Sequence, residues 1–171
     1  MSLFRKTTLL ALSFAFAAQA MAQQLPVPPC LAAKSWLLLE MGSGQILTSE
    51  KPDERLEPAS LTKLMTAYLT FNAIRQKTIG LNQPLPVSQK AWKTGGSKMF
   101  IKVDTQVPVE ELIKGMIVQS GNDACVTLAE GIAGSEETFA QLMNREAQRL
   151  GMKSSSFRNS TGLPDPQPFT T

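Results

Sequence analysis

The chain has 171 residues, 43% of them hydrophobic and 18% charged, a balance that suits one globular domain and excludes a disordered segment or a membrane bundle. It contains no histidine and only two cysteines, which removes the usual zinc ligand sets and the commonest general base of hydrolases. No cofactor is implied.

The first element is a targeting segment. Arg5 and Lys6 precede an apolar run from Leu9 to Ala18, and Ala20-Met21-Ala22 fits a small-x-small cleavage pattern. Residues 1–22 are therefore expected to be a signal peptide, with the exported chain starting at Gln23. The apolar run is too short to span a bilayer. Of the 17 basic residues Arg5 and Lys6 fall before position 23, and no acidic one does, which takes the net charge from +3 to +1. The charge is then no argument for nucleic acid as a partner. Export also exposes Cys30 and Cys125 to an oxidising compartment. Cys125 lies in an apolar helical stretch where a buried free thiol is the commoner state, and a bridge between the two stays open.

Leu25 to Pro29 is Pro-rich and expected to be extended. Ser35 to Glu40 and Gln45 to Thr48 then read as two strands around the turn Met41-Gly42-Ser43-Gly44. Pro58-Ala59-Ser60 opens a helix whose apolar positions, Leu61, Leu64, Met65, Tyr68, Leu69 and Ile74, predict one buried face. Residues 78–106 read as loop. Pro108 suits the first position of a helix through Leu112, Ile113, Met116 and Ile117. Ser120-Gly121-Asn122 breaks the pattern, and Asn122 is expected to cap a further helix through Ile132. Ser135 starts the last helix, with Gly151 as its stop. A two-stranded hairpin is marginal alone, so further strands are expected after residue 171.

Within this frame Ser60-Leu61-Thr62-Lys63 carries the chemistry. A serine hydroxyl needs a base to become a nucleophile, and a lysine serves if burial lowers its pKa. Residues three apart on a helix share a face, about 5–6 Å between Cβ atoms, so Lys63 is within reach of Ser60. Taken alone, Ser60 reads as a helix cap, and Ser120-Gly121-Asn122 as an inter-helix turn.

Together they resemble the penicillin-recognising serine enzymes. The run Pro58 to Thr66 is similar to the active-serine segment of the low-molecular-mass penicillin-binding proteins, the D-alanyl-D-alanine carboxypeptidases. Gly96 to Phe100, Gln119 to Cys125, and Gly151-Met152 through Phe157 to Gly162-Leu163 match in order and spacing. The resemblance implies an α+β fold of the β-lactamase/transpeptidase type, an antiparallel sheet flanked by helices with a helical subdomain. Residues 23–171 would be the amino-terminal part of that catalytic domain.

By the same resemblance Ser60 is the nucleophile, Lys63 its base, Ser120 the proton relay to the leaving D-alanine and Asn122 the holder of the substrate backbone. The implied partners are a peptidoglycan stem peptide ending in D-Ala-D-Ala and β-lactams, in the periplasm or at the outer face of the inner membrane. Membrane contact would come only through a carboxy-terminal anchor that these residues do not include. The family's third motif, Lys-Thr-Gly, follows Ser-x-Asn on a strand. Lys93-Thr94-Gly95 precedes Ser120 in loop-like sequence and is read as a coincidence, so the 171 residues alone are expected to be inactive. A peptidoglycan endopeptidase, a β-lactamase and a non-catalytic binding relic are the alternatives. Gly121, where class A β-lactamases have Asp, and the absence of a Glu-x-x-Leu-Asn segment argue against the β-lactamase.

Overall fold

The computed structural model describes residues 27–165 and 170–171. The expected signal peptide and the start of the Pro-rich stretch lie outside them. Contacts divide the chain between Lys51 and Pro52 into two units, a boundary the sequence pattern does not announce.

The first unit carries the predicted hairpin. β1 (Trp36–Leu39) pairs antiparallel with β2 (Ile46–Glu50), with an irregularity between Leu38 and Leu39. The turn closes as its residues require. Gly44 takes a φ of 72°, and the Glu40 carboxylate accepts the Gly42 and Ser43 N–H groups at 2.8 and 2.6 Å. The Ser43 hydroxyl, and then those two N–H groups, lower the pKa of the Glu40 carboxyl to about 2.

The second unit begins with a single 3-10 turn, Ala59–Leu61, that runs into α1 (Thr62–Arg75). Residues 78–106 are not all loop. They contain β3 (Pro84–Pro86) and α2 (Gln89–Lys93), and β3 pairs antiparallel with β4 (Gln106–Pro108). The prolines hid β3, since Pro cannot donate to a ladder and argues against a central strand. α2 is capped by the Ser88 hydroxyl, which accepts the Ala91 N–H at 3.0 Å. α3 (Val109–Gln119), α4 (Asn122–Ala133) and α5 (Glu136–Arg149) follow. Pro108 occupies the cap position directly before α3, one place earlier than expected.

α4 is the hub. It packs against α1, α2, α3, α5 and β3, and every residue from Asn122 to Ala129 is buried. That fits its composition: Ala124, Cys125, Val126, Leu128 and Ala129 have small or apolar side chains that admit neighbours on all sides. Two apolar clusters flank it. One gathers Leu85, Val87, Ala91, Val109, Leu112 and Met116, the other Met65, Phe139, Met143 and Phe157. Complete burial of Phe139 stabilises the second cluster by about 1.5–3 kcal/mol.

One expectation holds only in part. α1 buries Met65 of its apolar stripe and packs Tyr68, Leu69 and Ile74, half-buried, against the two clusters. Its buried residues are Thr62, Lys63, Met65, Thr66, Thr70 and Ala73, while Leu61 and Leu64 are 67% and 70% exposed. Polar residues go inward because they find partners there. Thr66 Oγ1 donates to the Ser160 carbonyl at 2.7 Å and Thr70 Oγ1 to the Thr66 carbonyl at 2.8 Å, and buried polar groups with partners carry little penalty.

Candidate active site

The turn that carries Ser60 is bent by its neighbours. Pro58 is buried, and Ala59 adopts a φ of +44°, a left-handed value that costs a non-glycine residue about 1–3 kcal/mol. The bend sets Ser60 in the 3-10 turn at the mouth of α1, where the positive end of the helix dipole favours negative charge. Lys63 follows one turn on, buried to 8% exposure, and its Nζ lies 3.3 Å from Ser60 Oγ.

Ser120 reaches the same point from another element. It caps α3 in the left-handed region, φ 55°, and its Oγ donates to Ser60 Oγ at 3.2 Å. Ser60, Lys63 and Ser120 thus meet, lining a cleft of about 400 Å³ with Leu64, Phe71 and Met116.

Asn122 does not do what the sequence suggests. Gly121 is the cap of α4 and Asn122 its first residue. The Asn122 amide nitrogen donates to the Gly95 carbonyl at 2.8 Å, and its backbone N–H donates to Ser97 O at 2.7 Å. Its buried Oδ1 has no partner among the described residues. A capping asparagine needs extended backbone, which Gly121 takes instead. Of Lys93-Thr94-Gly95, Gly95 thus contacts Asn122 through its carbonyl. The triplet lies on no strand, since Lys93 ends α2 and Thr94 caps it. Both cysteines are free, Cys30 exposed and Cys125 buried.

Burial holds the Lys63 ammonium below its ordinary value, because a charge loses hydration in the protein interior. The neutral amine is then reached at lower pH. Burial also pushes the nearby Cys125 thiol up to about 12, so that sulfur stays protonated and brings no anion near Lys63 at neutral pH.

Residues that the sequence did not single out complete the site. Thr161 O accepts from Lys63 Nζ at 2.8 Å. Asn159 Oδ1 accepts the Thr161 and Gly162 N–H groups at 3.1 and 2.7 Å. Asp123, fully enclosed, accepts the Met99 and Ile101 N–H groups at 3.0 and 3.2 Å and so ties the 95–101 loop to α4. Asn159-Ser160-Thr161-Gly162 has the composition of a side-chain-stabilised turn, a signal that could have marked this loop. A carbonyl such as that of Thr161 leaves no mark in sequence.

A hydroxyl in contact with a desolvated amine and with a second hydroxyl is an arrangement suited to acyl transfer through a serine nucleophile. Comparison with known proteins narrows this. The model of the D-alanyl-D-alanine carboxypeptidase family matches residues 19–171. The chain is 42% identical to D-alanyl-D-alanine carboxypeptidase DacC of Escherichia coli, over 92% of this chain and 41% of DacC. Among solved structures it superposes on penicillin binding protein 5 from Haemophilus influenzae with a TM-score of 0.81 at 40% identity, covering 85% of this chain and 43% of that one. For DacD from Francisella tularensis the values are 0.80 and 37%, over 91% and 38%. The chain belongs to the D-alanyl-D-alanine carboxypeptidase family and has the α+β fold of the penicillin-binding proteins over the part it spans, about two fifths of the length of these relatives.

Proposed function

We propose that these residues form the amino-terminal part of the catalytic domain of a serine-type D-Ala-D-Ala carboxypeptidase that trims peptidoglycan stem peptides. The observation that carries this is the contact of Ser60 Oγ with both Lys63 Nζ, at 3.3 Å, and Ser120 Oγ, at 3.2 Å. In the proposed reaction the neutral Lys63 amine takes the Ser60 proton as Oγ attacks the carbonyl between the last two D-alanines. Ser120 passes a proton to the departing D-alanine nitrogen and regains one from the Lys63 ammonium. The C–N bond breaks, an ester on Ser60 remains, and water releases the shortened peptide. Asn122 has a buried Oδ1 without a partner among the described residues, an acceptor suited to an N–H of the substrate backbone. The Ser60 N–H, at the head of α1, suits the developing oxyanion. A β-lactam would acylate Ser60 by the same steps.

Substrate and compartment agree, since the stem peptide lies outside the inner membrane and residues 1–22 read as an export signal. The test is labelling of the full-length product by a fluorescent penicillin, with Ser60→Ala as the control, followed by product analysis. Label lost in Ser60→Ala and free D-alanine from a pentapeptide support the reading. Cleavage of cross-linked peptides without D-alanine release would make the protein an endopeptidase. A folded product that takes up no label would remove the enzyme reading altogether.

A further inference from the structure

The loop 157–163 lies along the buried face of α1 and offers it two successive carbonyls. Ser160 O accepts from Thr66 Oγ1 at 2.7 Å, and Thr161 O accepts from Lys63 Nζ at 2.8 Å. Its start is fastened to α5, where Asn144 exchanges two hydrogen bonds with the Phe157 backbone at 2.7 and 2.8 Å. Its centre is held by a single carboxylate. Glu136, the first residue of α5, accepts both the Ser160 N–H, at 3.0 Å, and the Ser160 hydroxyl, at 2.7 Å, on Oε1. Its other oxygen pairs with Lys90 at 2.9 Å. Ser160 is fully buried and Glu136 is 7% exposed, so bulk water does not reach in to replace these bonds.

We propose that Glu136 is a positioning residue for the reaction. By gripping Ser160 it sets the place of the next carbonyl, that of Thr161, and through it the direction in which Lys63 faces Ser60. A neutral amine has two N–H bonds and one lone pair. With one N–H directed at Thr161 O, the lone pair sweeps fewer directions, and Ser60 Oγ lies 3.3 Å away. Without the grip the loop shifts, the Lys63 amine rotates, and fewer encounters have the geometry for proton removal. Glu136 touches neither substrate nor reacting atoms, and substrate affinity is not its business.

The inference rests on the proposed acylation chemistry, and its test uses the same full-length protein. Stopped-flow acylation by a penicillin separates the dissociation constant from the acylation rate constant for wild type, Glu136→Gln and Glu136→Ala. Gln keeps an oxygen that accepts from Ser160, whereas Ala keeps none. The expected result is a loss of about tenfold or more in the rate constant for Glu136→Ala, an unchanged dissociation constant, and near-wild-type values for Glu136→Gln. Ser160→Ala removes the hydroxyl half of the grip, and a smaller loss in the same constant is expected even if Glu136→Ala fails to fold. Rates equal to wild type in Glu136→Ala or Ser160→Ala, an equal loss in Gln and Ala, or a loss confined to the dissociation constant would each overturn the proposal. A wild type that takes no label sinks the acylation reading and this inference with it, whereas labelled wild type with indifferent variants sinks the inference alone.

Discussion

Gly162→Ala reaches the nucleophile through the backbone. Gly162 has a φ of +79°, and a Cβ built on it would sit 1.8 Å from the Ala59 carbonyl oxygen and 2.9 Å from Thr62 Oγ1. Ordinary carbon–oxygen contact needs more than 3 Å, so Ala59 must give way by over 1 Å, and Ala59 is bonded directly to Ser60. Gly134 separates the two costs, because it has the same φ of +79° with nothing within 4 Å of its Cβ. Gly134→Ala should lose only the left-handed backbone preference, about 1–2 kcal/mol. Gly162→Ala should lose that and a clash of about 1–3 kcal/mol, a large share of a typical domain's margin. Urea unfolding of the two variants measures the difference. Penicillin acylation should fall by about a hundredfold in Gly162→Ala, since a shift near 1 Å at the nucleophile has that scale, and stay at wild-type rate in Gly134→Ala. Equal destabilisation of the two variants with equal acylation would refute the claim that Gly162 makes room for the Ser60 turn.

Acylation should rise with pH to a midpoint below 10.5, the ordinary lysine value that Lys63 departs from. Lys63→Arg, which does not deprotonate, should cost about a thousandfold or more; a midpoint at or above 10.5 would contradict the assignment. The same shift has a stability consequence. Below its lowered folded value Lys63 is charged in both states and its burial penalty is fully present. As pH rises through that value towards 10.5 the unfolded chain holds more protons, and folding gains stability. Lys63→Met should flatten that gain in thermal melts across the window. Native protein treated with iodoacetamide near pH 8 should carry one label by mass spectrometry, on the exposed Cys30, while Cys125, buried and pushed up to about 12, reacts only after unfolding. Asp123→Asn should cost about 2–3 kcal/mol in denaturant unfolding, because an enclosed carboxylate that accepts the Met99 and Ile101 amides loses charge and an acceptor.

Where the governing contacts are local, the amino-acid sequence is informative. The hairpin, the break at Ser120-Gly121-Asn122 and the start of α5 at the Ser135 cap all follow from turn and cap chemistry within a few residues. The misreadings share one cause. The apolar spacing of α1 pointed to an apolar buried face, yet tertiary partners for Thr66 and Lys63 drew polar residues inward beside Met65 and left Leu61 and Leu64 exposed. Asn122 has the chemistry of a cap, and the Gly95 carbonyl across the fold competes for its side chain. Proline in β3 argued against a strand that, among the described residues, pairs with the short β4.

By itself the sequence determined that Ser60 and Lys63 lie about one helical turn apart, because a spacing of three residues brings side chains to one face. It also determined the lack of a histidine base, and hence that any proton acceptor beside Ser60 must be an amine, another oxygen or a cysteine sulfur. The tertiary structure alone decided that Ser120 reaches the same oxygen, that Lys63 loses its hydration, and that Thr161, Asn159 and Glu136 take part. Those are backbone carbonyls and side chains brought together over long loops, and neither desolvation nor the aim of a carbonyl is encoded in any short run of residue types.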